Sequence, residues 1–274
     1  ALISAMKGHQ KYFHVVDGDG KLMPHFITVS TIDSKDMALV RAGNERVLRP
    51  RLADAAFFWE PDRKQTLFKQ SERLKSVVFQ TKLGTVYQKT ERIVSLASHI
   101  AGLLKGNKSW VEKAGYLCKS DLMTDMVGEF PELQGIMGRY YAGHDGEPEE
   151  VALALDEQYL PRFAGDKLPT SVTGQAIAIA DTLDSLMGIF SIWQIPTGDK
   201  DPFALRRAAL GVLRILIECK LDLDLVELLN GAAEAYRAQG NVDPETGVVD
   251  QIYDFMMERL RAYYLDTGVS YDVF

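Results

Sequence analysis

Cysteine is scarce: Cys118 and Cys219 are the two in 274 residues, and both fall in apolar, helical-looking stretches. They read as small core side chains in a reducing compartment, not as a disulfide. No apolar run approaches a membrane span and no signal peptide is visible, which makes the cytoplasm the expected location. A basic excess is missing too: 31 Lys and Arg face 38 Asp and Glu, a net charge of −7. That argues against broad affinity for nucleic acid but leaves room for a local basic stripe on an acidic body. Internal repeats, low-complexity stretches and a Gly-rich phosphate loop are also absent.

What is present is an ordinary globular composition, 46% hydrophobic and 25% charged. Residues 11 to 30 predict a β-hairpin. Tyr12-Phe13-His14-Val15-Val16 and Phe26-Ile27-Thr28-Val29 flank the turn Asp17-Gly18-Asp19-Gly20. The turn faintly spells a calcium loop, but its twelfth position is Thr28 where a glutamate is needed, so a plain turn is expected. Gly43-Asn44 reads as a turn, followed by a helix with Pro50 in its first turn and Glu60-Pro61-Asp62 at its end.

Beyond residue 64 the pattern is helical nearly throughout. Ile93, Leu96, Ala97, Ile100 and Leu104 keep amphipathic spacing up to Gly106-Asn107. Ser109-Trp110-Val111-Glu112 spells a capping box. Pro169-Thr170-Ser171 opens a long helix to Phe190, and Asp201-Pro202 places a cap before a proline at a first helical position. Two further helices lie near 223–239 and 245–266, ended by Gly240 and Gly268. The expected fold is mainly α with a small α+β N-terminal part: an α+β segment (1–64), a helical domain (65–222) and a helical linker into a further body (223–274).

Single chemistry-bearing residues mostly favour structural roles. His144-Asp145 reads as a solvated turn, and His99 as a partly buried packing residue. Glu129 with Glu132, and Asp121 with Asp125, read as capping or structural carboxylates, because no nucleophile is positioned beside them. Trp59, Trp110 and Trp193 read as core or junction anchors. Three basic clusters stand out. Lys7, His9 and Lys11 alternate on an extended segment, sharing a face with Phe13. Arg46, Arg49 and Arg51 follow, with Arg63 and Lys64 beyond. Arg206 and Arg207 come after Pro196-Thr197-Gly198-Asp199-Lys200-Asp201. Each cluster is a candidate RNA contact, although internal salt bridges are the expected role of the third.

Four strings carry a family resemblance: Met6 to Phe13 (MKGHQKYF), Gly43 to Ala55 (GNERVLRPRLADA), Val127 to Ala142 (VGEFPELQGIMGRYYA) and Pro196 to Ala209 (PTGDKDPFALRRAA). In this order they resemble the β subunit of the bacterial two-subunit glycyl-tRNA synthetase. The resemblance implies a tRNA-binding and α-subunit-docking piece of an α2β2 glycine–tRNA ligase. ATP and Mg would be used on the α subunit, and this chain would bind no cofactor and contribute no catalysis of its own. It also implies a fragment lacking both the family's extreme N-terminal region and its C-terminal anticodon-binding domain. Lys7, His9, Lys11, Arg46, Arg49, Arg51, Arg206 and Arg207 are the tRNA-contact candidates.

The helical region further resembles an HD domain, whose histidine, His-Asp dyad and distant aspartate bind catalytic metal. Here Cys118-Lys119 would stand at the dyad, the first histidine would fall near Thr90 or Glu91, and the last aspartate would survive as Asp181. That implies no metal site. The rival readings are a working HD-type metal phosphohydrolase and a helical regulatory or interaction module.

Overall fold

The computed structural model describes residues 2–31 and 33–270, and all of their side chains except those of Leu2, Ala5, His9, Arg51, Leu52, Asp54 and Ala55. The fold is mainly α with two small antiparallel hairpins.

A short helix α1 (Leu2–Ser4) runs into a π-helical turn (Ala5–His9), then β1 (Phe13–Val16) and β2 (Leu22–Ile27). The register pairs Phe13 with Ile27, His14 with Phe26 and Val16 with Leu22, with a bulge between His14 and Val16. The turn is held by Asp17 itself: its Oδ1 accepts from the Asp19 and Lys21 amides at 3.0 and 2.8 Å, the local bonding that suits Asp to turns. The Lys7–Lys11 stretch is not extended as expected. Met6 and Tyr12 are buried, and the Tyr12 amide donates to the Met6 carbonyl at 2.9 Å, which coils the chain between them. Lys7 and Lys11 are exposed, Lys11 in the left-handed region, and do not share a strand face with Phe13. The His9 side chain lies outside the described residues.

Helix α2 spans Met37–Asp62 and overturns the expected turn at Gly43-Asn44 and the helix start near Pro50. Asp36 caps it by accepting from the Leu39 amide. Asn44 makes its bonds without breaking the helix: Nδ2 donates to the Val40 carbonyl, and Oδ1 accepts from the Tyr12 hydroxyl at 2.6 Å. Pro50 sits mid-helix, where it has no N–H to donate to the carbonyl of exposed Arg46 four residues earlier. Arg46 and Arg49 are exposed, three residues apart on this helix; the Arg51 side chain is outside the described residues. Hairpin and helix meet at a small core of Met6, Tyr12 and Leu48, with Tyr12 stacked on Phe26.

The larger core belongs to the helices after residue 66. They are α3 (Leu67–Ser71), α4 (Val86–Leu103), α5 (Lys108–Leu117), α6 (Asp125–Glu129), α7 (Ile136–His144), α8 (Glu149–Glu157), α9 (Val172–Ser191), α10 (Leu205–Glu218), α11 (Leu225–Gln239) and α12 (Val248–Asp266). A second hairpin that the apolar spacing did not announce, β3 (Val78–Gln80) and β4 (Gly84–Thr85), precedes α4. Helix α9 is buried on nearly every side, the signature of a central core helix, and α4, α8, α10, α11 and α12 pack around it.

Caps explain the boundaries. Thr85 and Gln88 form the capping box of α4. Asn107 caps α5, in place of the box expected from Ser109 to Glu112, because its side chain reaches the Trp110 amide first. Ser171 and Asp224 cap α9 and α11. Gly240 and Gly268 follow α11 and α12 with positive φ, as expected. Asp201 does cap α10, but from four residues before its first residue, Leu205. Its two oxygens accept from the Leu205 and Arg206 amides, and Pro202 is not helical.

Candidate functional site

An amphipathic helix should not carry a cation on its apolar face, yet α4 carries two. The stripe Ile93, Leu96, Ala97 and Ile100 extends backwards by helical steps to Lys89 and Arg92, both buried. Their partners come from α9, where Asp181 and Asp184 stand three residues apart. Lys89 Nζ lies 2.8 Å from Asp181 Oδ1 and 2.9 Å from Asp184 Oδ2. Lys119, just past the end of α5, reaches Asp181 Oδ2 at 2.6 Å. Arg92 meets Asp184 through Nε at 2.5 Å and also donates to the Tyr236 hydroxyl of α11. Gly188 makes that last contact possible: a Cβ there would sit 2.1 Å from the Tyr236 hydroxyl.

Three cations and two carboxylates thus cross-link α4, α5, α9 and α11. Aromatic faces complete the enclosure, with Phe79, Tyr159 and Tyr236 lying under Lys89, Lys119 and Arg92 respectively. Burial by itself would push the Asp181 carboxyl up, but Lys119 and then Lys89 outweigh it and hold the group well below the usual carboxylate range. The same balance, burial opposed by Asp181, raises Lys119.

Thr90 and Glu91, where the first histidine of an HD domain would fall, carry no metal-binding imidazole, and it is the neighbouring Lys89 that turns inward to Asp181. The Thr90 hydroxyl donates to the Tyr87 carbonyl, and Glu91 accepts from Gln239. Both Asp181 oxygens are bonded to ammonium groups, which donate only and repel a cation. Among the described residues no three His, Cys, Asp or Glu side chains gather as a metal set.

The other singled-out residues are structural. His144 ends α7 rather than lying in a loop; it accepts from Arg63 Nε, while Asp145 accepts from the Leu67 amide at 2.7 Å and so ties α7 to α3. His99 is exposed, against expectation, because it turns outward to Glu227 at 2.9 Å and links α4 to α11. Asp121 and Asp125 are not a pair. Buried Asp121 accepts from the Gly135 and Gly138 amides, whereas Asp125 is exposed. Glu129 and Glu132 are exposed as well. Trp59 stacks on Tyr141 and Trp110 packs against the large core, but Trp193 is 61% exposed. Its left-handed backbone, just past the end of α9, turns the ring outward. Cys118 and Cys219 are free thiols.

Arg206 and Arg207 do not form the expected internal salt bridges among the described residues. The nearby Asp201 is already occupied by backbone amides. Arg206 donates to the Gly198 carbonyl at 2.7 Å, and Arg207 is exposed. Both line a groove of about 430 Å³ between α10, α12 and the 161–165 loop, together with Arg214, Arg259 and Phe163. Sequence spacing missed Phe163 and Arg259, because the loop and α12 are far apart in the chain.

A family model described as the glycyl-tRNA synthetase beta subunit matches residues 1–274. A glycine–tRNA ligase beta subunit of Hahella chejuensis is 58% identical over 274 residues, all of this chain and 39% of that protein. Those of Pseudomonas fluorescens and Pseudomonas syringae pv. syringae are each 57% identical, over 98% and 100% of this chain and 39% and 40% of their own lengths. The chain spans about two fifths of the length of the curated relatives it matches. With its whole length matched at this identity, the chain belongs to the glycyl-tRNA synthetase beta subunit family.

Proposed function

We propose that this chain is a tRNA-holding and α-docking scaffold within a glycine–tRNA ligase and contributes no catalytic group. Family membership supports the setting. The observation that carries the scaffold reading is the occupancy of Asp181: both of its oxygens are neutralised by Lys89 and Lys119, which makes the cluster a buried cross-link between helices. The same occupancy counts against a metal phosphohydrolase, which needs those lone pairs for a metal ion. In this reading glycine activation, with its ATP and Mg, takes place on the α subunit in an α2β2 assembly. The exposed arginines Arg46, Arg49 and Arg207 are available to meet tRNA(Gly). A cytoplasmic location and the three-part division at residues 64 and 222 go with the same proposal.

The test is crosslinking of tRNA(Gly) to the complete two-subunit enzyme, with the linked β residues mapped. Crosslinks within this stretch are expected. Their absence, together with no binding of the isolated chain to the α subunit, overturns the proposal. A parallel assay of chelator-free protein for bound metal and nucleotide hydrolysis is expected to find neither.

A further inference from the structure

The groove between α10 and α12 concentrates one sign of charge on a chain of the opposite sign. Arg206, Arg207, Arg214 and Arg259 line it, and Asp266 is the one carboxylate among its described lining residues, on a chain of net charge −7. The placement follows from helical spacing. Arg207 and Arg214 are two turns apart on α10, and Arg259, Tyr263 and Asp266 share a face of α12.

Two of the guanidiniums are committed elsewhere. Arg214 is held by Glu218 at 2.6 Å, and Arg206 by the Gly198 carbonyl. The other two are not fully used. Arg207 is exposed and has no hydrogen bond or ion pair among the described residues. Arg259 pairs with Glu258 through one terminal nitrogen, but its Nε is buried without a partner. At the rim Phe163 is 61% exposed, a large ring that the core does not use.

The geometry points to this groove as a subsite for an RNA strand, with one unpaired base stacked on Phe163 and the flanking phosphates held by Arg207 and Arg259. Guanidinium forks match phosphate oxygens, and base faces stack on aromatic rings. A volume of about 430 Å³ suits a single nucleotide rather than a duplex. An acidic peptide would satisfy the arginines but gives no use for the exposed ring. The assignment rests on the proposed tRNA-holding role and narrows it to one surface and one kind of contact.

The test uses the complete two-subunit enzyme and tRNA(Gly), with affinity measured across a salt series. Each lost phosphate contact on a single strand lowers the log–log salt slope by roughly 0.7, so the double variant Arg207→Gln with Arg259→Gln should lower it by about 1.4. Phe163→Ala should weaken binding roughly tenfold and leave the slope unchanged. Arg207→Lys keeps the charge and should keep the slope. Matching thermal melts show that the variants are folded. Unchanged affinity and slope in the double and Phe163 variants overturn the groove assignment while the tRNA-holding role stands. Loss of α-subunit association with tRNA binding intact also overturns it, in favour of a protein partner. A wild-type complex that does not bind tRNA(Gly) overturns both readings.

Discussion

Lys119 Nζ lies 2.6 Å from Asp181 Oδ2, joining the residue just past α5 to the middle of α9. Lys89 holds the other oxygen of the same carboxylate. Removing one member of such a set leaves an uncompensated buried charge, whereas keeping all of them is close to neutral.

Asp181→Asn should therefore destabilise the protein by about 3–5 kcal/mol, by leaving buried Lys119 without its carboxylate and Lys89 with only Asp184, which Arg92 also holds. Urea unfolding at pH 7 measures it. The pH dependence has a definite sign. The Asp181 pKa is lowered on folding, so its contribution is present above the unfolded carboxylate value near 4 and fades as pH falls below it. The Asn variant should lose less stability than wild type on acidification below pH 4.

Asp121 behaves in the opposite way. Burial pushes its carboxyl up to about 6, although the Gly135 and Gly138 amides pull it back. The folded state then holds its proton more tightly than the unfolded state does. Stability from this group is greatest below pH 4 and falls as pH rises to about 6. Asp121→Asn keeps an acceptor for both amides. It should flatten the stability profile between pH 4 and 6 and raise stability at pH 7 by of order 2 kcal/mol. Denaturant midpoints taken at half-unit pH intervals decide this.

Gly188→Ala should cost about 1–3 kcal/mol, because the new methyl would meet the Tyr236 hydroxyl that bridges Arg92 and Asp184. Tyr236→Phe removes the nearest clashing atom. In a double-mutant cycle the pair should couple favourably; strict additivity would show that the close approach is relieved elsewhere.

Asp62, the last residue of α2, accepts from the Asp125 and Met126 amides and from the Tyr141 hydroxyl at 2.7 Å. Asp62→Ala should cost about 2–4 kcal/mol, since it leaves buried donors unpaired at the start of α6. Tyr141→Phe, which spares the two backbone bonds, should cost about 1 kcal/mol. Equal losses in the two variants would mean that the amides find other acceptors.

Cys118 is buried, and burial pushes its thiol up to about 12, so little thiolate is present at neutral pH. Half-buried Cys219 should react first with a neutral alkylating reagent, and Cys118 should react at the rate of global opening. Mass spectrometry of partially labelled protein gives the order; reaction of Cys118 ahead of Cys219 would contradict the packing.

The sequence by itself determined the helical body, the first hairpin and the ends of α9, α11 and α12. Those features rest on local signals: apolar spacing along Ile93, Leu96, Ala97 and Ile100, a capping Ser171, and glycines at positive φ. It also determined the family, because long ordered strings survive without any knowledge of contacts. Tertiary structure decided everything that depends on partners distant in the chain. Gly43-Asn44 spells a turn, yet α2 runs through it because Asn44 finds Val40 and Tyr12. Lys7 and Lys11 spell a strand face, yet buried Met6 and Tyr12 coil the chain between them. The charge cluster was half legible: Lys89 and Arg92 fall on an apolar helical face, which signals burial but not the identity of the partner. That Lys119 and Lys89 close on Asp181, and that Phe163 and Arg259 join Arg207 at one groove, follows from helix packing across 60 to 90 residues of sequence or from a loop folding back. Periodicity reports which face of an element is buried; only packing decides which charges then meet.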